Sequence, residues 1–175
     1  MRKLGSFLLG DGLGGAGTHW NGMNFRFTPY DFKIKSMTEE RYGKNKLGKE
    51  YLLQDYPLSY DDLEPYFTAF EEAIGVSGEP GHFDPKRSKP YPMPPLLRTP
   101  VLSMFEKAAT QAGRHPYMIP AGIASTSYTN PDGEVHNPCM YCGFCERFAC
   151  EYDAKAQPTN TFIPTAMKTG NCEIR

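Results

Sequence analysis

Gly10-Asp-Gly-Leu-Gly-Gly-Ala-Gly-Thr-His-Trp-Asn-Gly22 is the stretch on which the fold turns. Six of its thirteen residues are glycine, and they run directly into Thr18, His19, Trp20 and Asn21. Glycine lacks a Cβ and takes φ > 0 freely, so such a run lets backbone approach a ligand closely. Gly10-x-Gly12-x-x-Gly15 matches the dinucleotide fingerprint as a string. That fingerprint needs a firm strand before it, a helix after it and an acidic residue about 20 positions on. Here Leu4 to Leu9 is only a short candidate strand, and Thr18-His-Trp-Asn-Gly22 opens no amphipathic helix. The loop is therefore not a first nucleotide-binding turn, yet it can still bring amides to a phosphate or a flat ring.

Outward from the loop, composition sets the limits. The chain has 175 residues, 39% hydrophobic and 22% charged, with net charge −1 and pI about 6.4. That length suits one globular domain. No basic footprint points to nucleic acid and no charge block to a membrane surface. With 17 Gly and 16 Pro the chain is too loop-rich for a helical bundle, and 11 Tyr and 11 Phe argue against disorder. The basic start with its broken apolar stretch is not a secretory signal peptide, and no stretch is long enough to span a bilayer. Periplasm and cytoplasm both remain open as locations.

The spacing predicts a mixed α+β or α/β fold, with two to four helices and short strands. Asn24-Phe-Arg-Phe-Thr28 alternates like a strand closed by Pro29. Residues 33–50 are charged without a clear period and read as a solvated segment. Residues 59–75 predict a helix: Ser59 caps it, Asp61 and Asp62 suit its N-terminus, and Leu63, Tyr66, Phe67, Phe70 and Ile74 form a core face. Pro65 predicts a tight first turn, with regular helix from about Glu64 and a stop at Gly75. Residues 77–98 read as a proline-rich extended connection. Thr99-Pro100 opens a second helix with Leu102, Phe105, Ala109 and Ala112 buried and Gly113 as its stop. Tyr117 to Ile119 is a candidate strand, Asn130-Pro-Asp-Gly133 a turn, Thr161 to Met167 a helix and Asn171 to Ile174 a strand.

Cys139-x-x-Cys142-x-x-Cys145-x4-Cys150 is the most specific local pattern. Clustering of this kind points to metal or redox chemistry rather than a scattered disulfide framework. Three readings stand: thiolate ligands of an iron–sulfur cluster at near-ferredoxin spacing, structural cysteines as buried thiols or a local disulfide, or a zinc site. His82, His115 and His136 show no ligand spacing to one another, and only His136 lies near the cysteines. Ser125, Thr126 and Ser127 form no nucleophile elbow. Lys155, in Asp153-Ala-Lys-Ala, reads as a salt-bridge residue.

Gly14-Gly-Ala-Gly-Thr-His-Trp-Asn-Gly-Met-Asn-Phe-Arg-Phe27 resembles the flavin-facing loop of the glucose–methanol–choline (GMC) oxidoreductases, closest to their gluconate 2-dehydrogenase and sugar dehydrogenase branch. Asp55-Tyr-Pro-Leu-Ser-Tyr-Asp-Asp-Leu-Glu-Pro-Tyr-Phe67 resembles the helix after that loop. Residues 137–155 with Thr161-Phe-Ile-Pro-Thr-Ala166 resemble the cysteine-bearing segment. The resemblance implies a partial FAD-binding domain over 1–175, with the flavin-contacting loop and strand in 1–32. It implies flavin contacts at Gly14, Gly15, Thr18, His19, Trp20, Asn21 and Gly22. His19 matches a histidine that pyranose oxidases bond covalently to the flavin 8α carbon. It further implies hydride transfer from the CH–OH group of a sugar, sugar acid or other alcohol to flavin N5, with electrons leaving to an accepting subunit or carrier. The family's N-terminal Rossmann unit and its proton-abstracting histidine are expected outside this chain, which reads as an internal fragment, inactive alone. A small iron–sulfur electron carrier, or a zinc-binding module with a structural glycine loop, is the alternative.

Overall fold

The computed structural model describes residues 10–175 except 45, 47 and 49. The candidate strand Leu4 to Leu9 lies outside them. Among the described residues the fold is mixed α and β and loop-rich: five helices and a single two-stranded antiparallel sheet. The helices are α1 (Pro29–Phe32), α2 (Ile34–Tyr42), α3 (Tyr60–Ile74), α4 (Pro100–Gln111) and α5 (Phe162–Lys168). The strands are β1 (Tyr128–Thr129) and β2 (Val135–His136), in register Tyr128 with His136 and Thr129 with Val135. Five helices exceed the two to four expected. None of these helices is long and apolar enough to cross a membrane. The chain divides into two compact units: one from residues 10–25, 70–82 and 91–175, the other from 26–69 and 83–90.

In the smaller unit, α1 starts where the Thr28 N–H and hydroxyl both donate to the Asp31 carboxylate, at 2.6 and 2.7 Å. Within 33–50, read as a solvated segment without a clear period, the structure places helix α2. It is a surface element with no fully buried residue. Its first turn is held by Asp55, whose carboxylate accepts the Lys35 and Ser36 amides at 2.9 and 3.1 Å. A cap supplied from about 20 residues away leaves no local signature. Asn24 to Thr28 is not a strand. The alternation is present but inverted: Phe25 and Phe27 are exposed, while the Arg26 side chain is buried against Glu64 at 2.9 Å.

Ser59 and Asp62 cap α3 reciprocally. The helix is regular from Tyr60 rather than from Glu64, and it runs through Pro65. Its buried stripe is also more polar than predicted. Tyr60, Thr68, Glu71 and Ile74 are buried, whereas Tyr66 is 71% exposed and Phe70 is exposed too. In α4 the Thr99 hydroxyl accepts the Leu102 amide at 3.3 Å, as the Thr-Pro start predicts. Its apolar face is not buried: Leu102 and Phe105 are exposed.

The larger unit is held by a patchwork of isolated bridges rather than long strands. Ala121 exchanges both backbone hydrogen bonds with Ser77, at 2.8 and 2.9 Å. Gly122 donates to the Gly22 carbonyl at 2.7 Å and accepts from the Ala156 amide at 2.8 Å. Ile123 bridges Lys155. Pairing thus begins at Ala121, not at Tyr117 to Ile119 as predicted, and Asn171 to Ile174 forms no strand. Around this ladder Ile74, Val76 and Ala156 form the core, with Trp20 and Tyr91 packed against them. The Asn130–Gly133 turn closes the β1–β2 hairpin. The Asn130 side chain accepts the Asp132 and Glu134 amides at 3.0 and 2.8 Å, and Gly133 takes φ +81°.

Candidate functional site

The glycine run ends in a 3-10 turn, Gly15–His19. The Gly15 amide donates to Gly12 O and the Thr18 hydroxyl to Gly15 O, both at 3.0 Å, so the loop folds on itself. Gly14 enters the turn at φ +88°. A Cβ at Gly12 would meet nothing within 4 Å, and one at Gly15 only the Gly10 carbonyl at 3.9 Å. This edge of the backbone is therefore open. Gly17 and Gly22 are packed instead: a Cβ would lie 2.7 Å from Pro158 and 2.8 Å from Ile123.

His19 and Trp20 follow. The His19 Nε2 atom is buried without a hydrogen-bond partner among the described residues. Trp20 is held at both ends: its indole N–H donates to Ala156 O at 2.7 Å, and its carbonyl accepts from Lys155 Nζ at 2.6 Å. Its ring passes over Gly122, where a Cβ would come within 3.0 Å. Asn21 is exposed and accepts the Met23 amide at 3.4 Å. Gly22 takes φ +89° as the chain enters the bridge ladder. Trp20 also lines an apolar cavity of about 240 Å³ with Gly17, Phe70, Ile74, Pro158 and Phe162.

All five thiols are free. Cys142 is exposed, while Cys139, Cys145 and Cys150 are half-buried. Their loop is bent by left-handed residues, with φ +54° at Tyr141, +81° at Gly143 and +71° at Arg147. Cys142, Cys145 and Cys150 line a pocket of about 200 Å³ with Phe144, Phe148 and Tyr152. Burial pushes the Cys145 thiol up, and the neighbouring Cys139 and Cys142 add to the rise. Among the described residues no group of three or more His, Cys, Asp or Glu side chains is placed to hold a metal ion. The expected four-thiolate centre is thus not assembled in this structure.

His136 is buried. Its Nδ1 faces the Asp153 carbonyl at 3.3 Å, and burial lowers its pKa. His82 and His115, with no sequence relation, stack at 4.2 Å between ring centroids. Lys155 corrects its sequence reading. Its side chain makes no salt bridge but donates to the carbonyls of Trp20, Cys145 and Phe148, at 2.6, 3.0 and 2.6 Å. Burial lowers its pKa, opposed by Cys145 and Cys150. Lys155, Ala156 and Gly122 are the residues around Trp20 that motif reading missed. The Asp153-Ala-Lys-Ala string was visible, but its bonds run to partners 135 and 136 positions away.

The chain is 37% identical, over 188 residues, to the gluconate 2-dehydrogenase flavoprotein of Pantoea cypripedii, a match covering 99% of this chain and 31% of the relative. It is 38% identical, over 133 residues, to the fructose dehydrogenase large subunit of Gluconobacter japonicus, covering 74% of this chain and 22% of that relative. No protein-family model matches the chain. The chain thus spans less than a third of the length of the curated relatives it matches, one named a dehydrogenase flavoprotein and the other a dehydrogenase large subunit.

Proposed function

We propose that this chain is the flavin-loop portion of a GMC-type, FAD-dependent dehydrogenase that oxidises the CH–OH group of a sugar, sugar acid or other alcohol. The observation that carries this reading is the geometry of the glycine loop: backbone open at Gly12 and Gly15, beside a buried His19 Nε2 that has no hydrogen-bond partner among the described residues. The likeness of 99% of the chain to a gluconate 2-dehydrogenase flavoprotein supports it.

The residues fit a flavin. Gly12 and Gly15 leave room for a flat ring against the backbone. His19 Nε2 has no hydrogen-bond partner among the described residues, and it is the atom proposed to bond the flavin. Trp20, clamped through Nε1 and its carbonyl, fixes the backbone on which His19 sits. Asn21 is exposed next to it, whereas Gly22 is buried and packed against Ile123. When bound, FAD supplies the hydride acceptor at N5 for the substrate's carbinol hydrogen. The hydroxyl proton is assigned to a histidine outside these residues. Electrons then leave to an accepting subunit or carrier. Among the described residues the thiols of Cys139, Cys142, Cys145 and Cys150 form no group placed to hold a metal, and no step is assigned to them.

The test uses the full-length protein. It should show flavin absorbance and reduce an artificial dye acceptor with a sugar or sugar acid as donor. After acid denaturation the yellow colour should stay with the polypeptide, and His19→Ala should release it. A flavin-free protein would refute the function; colour retained by His19→Ala would refute the anchor alone.

A further inference from the structure

Lys155 is 1% exposed. An ammonium carries three donors, and here three backbone carbonyls accept them. None belongs to a carboxylate, so this is not a buried ion pair. The acceptors come from two separate loops. Cys145 O and Phe148 O belong to the cysteine loop, which is bent by left-handed residues at 141, 143 and 147. Trp20 O belongs to the glycine loop, directly after His19. The next residue, Ala156, receives the Trp20 indole N–H. A lysine serving only its own loop would satisfy Cys145 and Phe148 and leave Trp20 alone.

We propose that Lys155 is a positioning residue that ties the His19–Trp20 loop to the cysteine loop, so that a change of state in the cysteine loop is transmitted to the loop that contacts the flavin. The tie deepens the proposed function and depends on it only for the word flavin. Coupling of this kind is reciprocal: loosening either loop loosens the other. The physical element is a single cation shared by both, rather than mere proximity.

The test compares wild-type full-length protein with Lys155→Met, which keeps most of the stem and removes the donors. Peptide-resolved iodoacetamide labelling follows Cys145 and Cys150, and hydrogen exchange follows residues 15–24. The variant should label both thiols at least tenfold faster and raise exchange over 15–24 at least tenfold, with α4 unchanged. Faster thiols with unchanged exchange over 15–24 would overturn the tie, as would no change in either. If Lys155→Met does not fold, wild-type protein in rising guanidinium decides. Cys145 labelling and exchange over 15–24 must then share one denaturant dependence; two distinct dependences overturn the proposal. None of these signals requires flavin. A flavin-free protein with coupled loops would refute the function and leave the tie standing; a flavoprotein with independent loops would do the reverse.

Discussion

Acidification should strip stability from the smaller unit, with the Glu64 carboxylate as the largest contributor. Its Oε1 accepts the Ser88 amide and hydroxyl, the Thr68 hydroxyl and the Arg26 guanidinium, each at 2.9 Å. The Ser88 amide is the largest influence; burial opposes it, and Arg26, the Ser88 hydroxyl and Thr68 add to the fall, which carries the pKa from an ordinary 4.5 to about 2. The folded state therefore holds its proton less tightly than the unfolded chain. The stabilisation is fully present above pH 4.5 and is lost as pH falls toward 2. A shift of this size corresponds to at most about 3 kcal/mol. Urea unfolding followed by far-ultraviolet circular dichroism from pH 7 to pH 2 measures it. Glu64→Gln should flatten the slope between pH 4.5 and 2. At pH 7 it should also cost about 3 kcal/mol, because the largely buried Arg26–Glu64 charge pair is broken. Replacing both partners with apolar residues should cost less than the single change. If Glu64→Gln keeps the wild-type slope in that window, other carboxylates carry the acid sensitivity and the assignment to Glu64 fails.

Two comparisons test the local packing in the same urea assay. Gly22→Ala meets both a left-handed φ and the Ile123 side chain at 2.8 Å, whereas Gly133→Ala meets only the φ, with nothing within 4 Å; Gly133→Ala should cost about 1–2 kcal/mol and Gly22→Ala clearly more, and equal costs would refute the packing of Gly22. Ile74→Ala, in the core, should cost about 2–5 kcal/mol, while Phe105→Ser on exposed α4 should stay within about 0.5 kcal/mol; a large loss for Phe105→Ser would show that the α4 face is covered in the folded protein.

Elements whose signals are local were legible in the sequence. Ser59 with Asp62, Thr99-Pro100 and Asn130-Pro-Asp-Gly133 each place cap or turn chemistry within four residues, and α3, α4 and the hairpin begin where those residues stand. Elements held from a distance were not. Helix α2 takes its cap from Asp55, so its charged sequence shows no clear period and no local start signal. Periodicity also locates a face without saying whether it is buried. The α4 stripe is apolar and open, and the 24–28 alternation turns Arg26 inward because Glu64 receives it. At the site the same division holds. Thr18 to Gly22 stand out because glycine, histidine and tryptophan are adjacent. Lys155 and Ala156 act through backbone carbonyls and amides, which any residue possesses, so spacing cannot reveal them.

The segment Ala154-Lys155-Ala156 shows why the two loops are best considered as one structure. Strand-like backbone sends successive side chains to opposite faces. Ala154 and Ala156 are each 2% exposed, and their backbones pair with Ala124 and Gly122 at 2.7 and 2.8 Å. Lys155, between them, is sent the other way, to the carbonyls of Trp20, Cys145 and Phe148. Small residues on one face keep the ladder closed, and a long cation on the other gathers two loops that have little regular structure of their own. Gly122 completes the arrangement: it pairs with both Gly22 and Ala156, and it leaves space for the Trp20 ring. A change in α2 or α4 alters an outlying surface. A change at Lys155 removes the bonds to Trp20, Cys145 and Phe148, and a change at Gly122 or Ala156 disturbs the ladder and the Trp20 side chain packed on it.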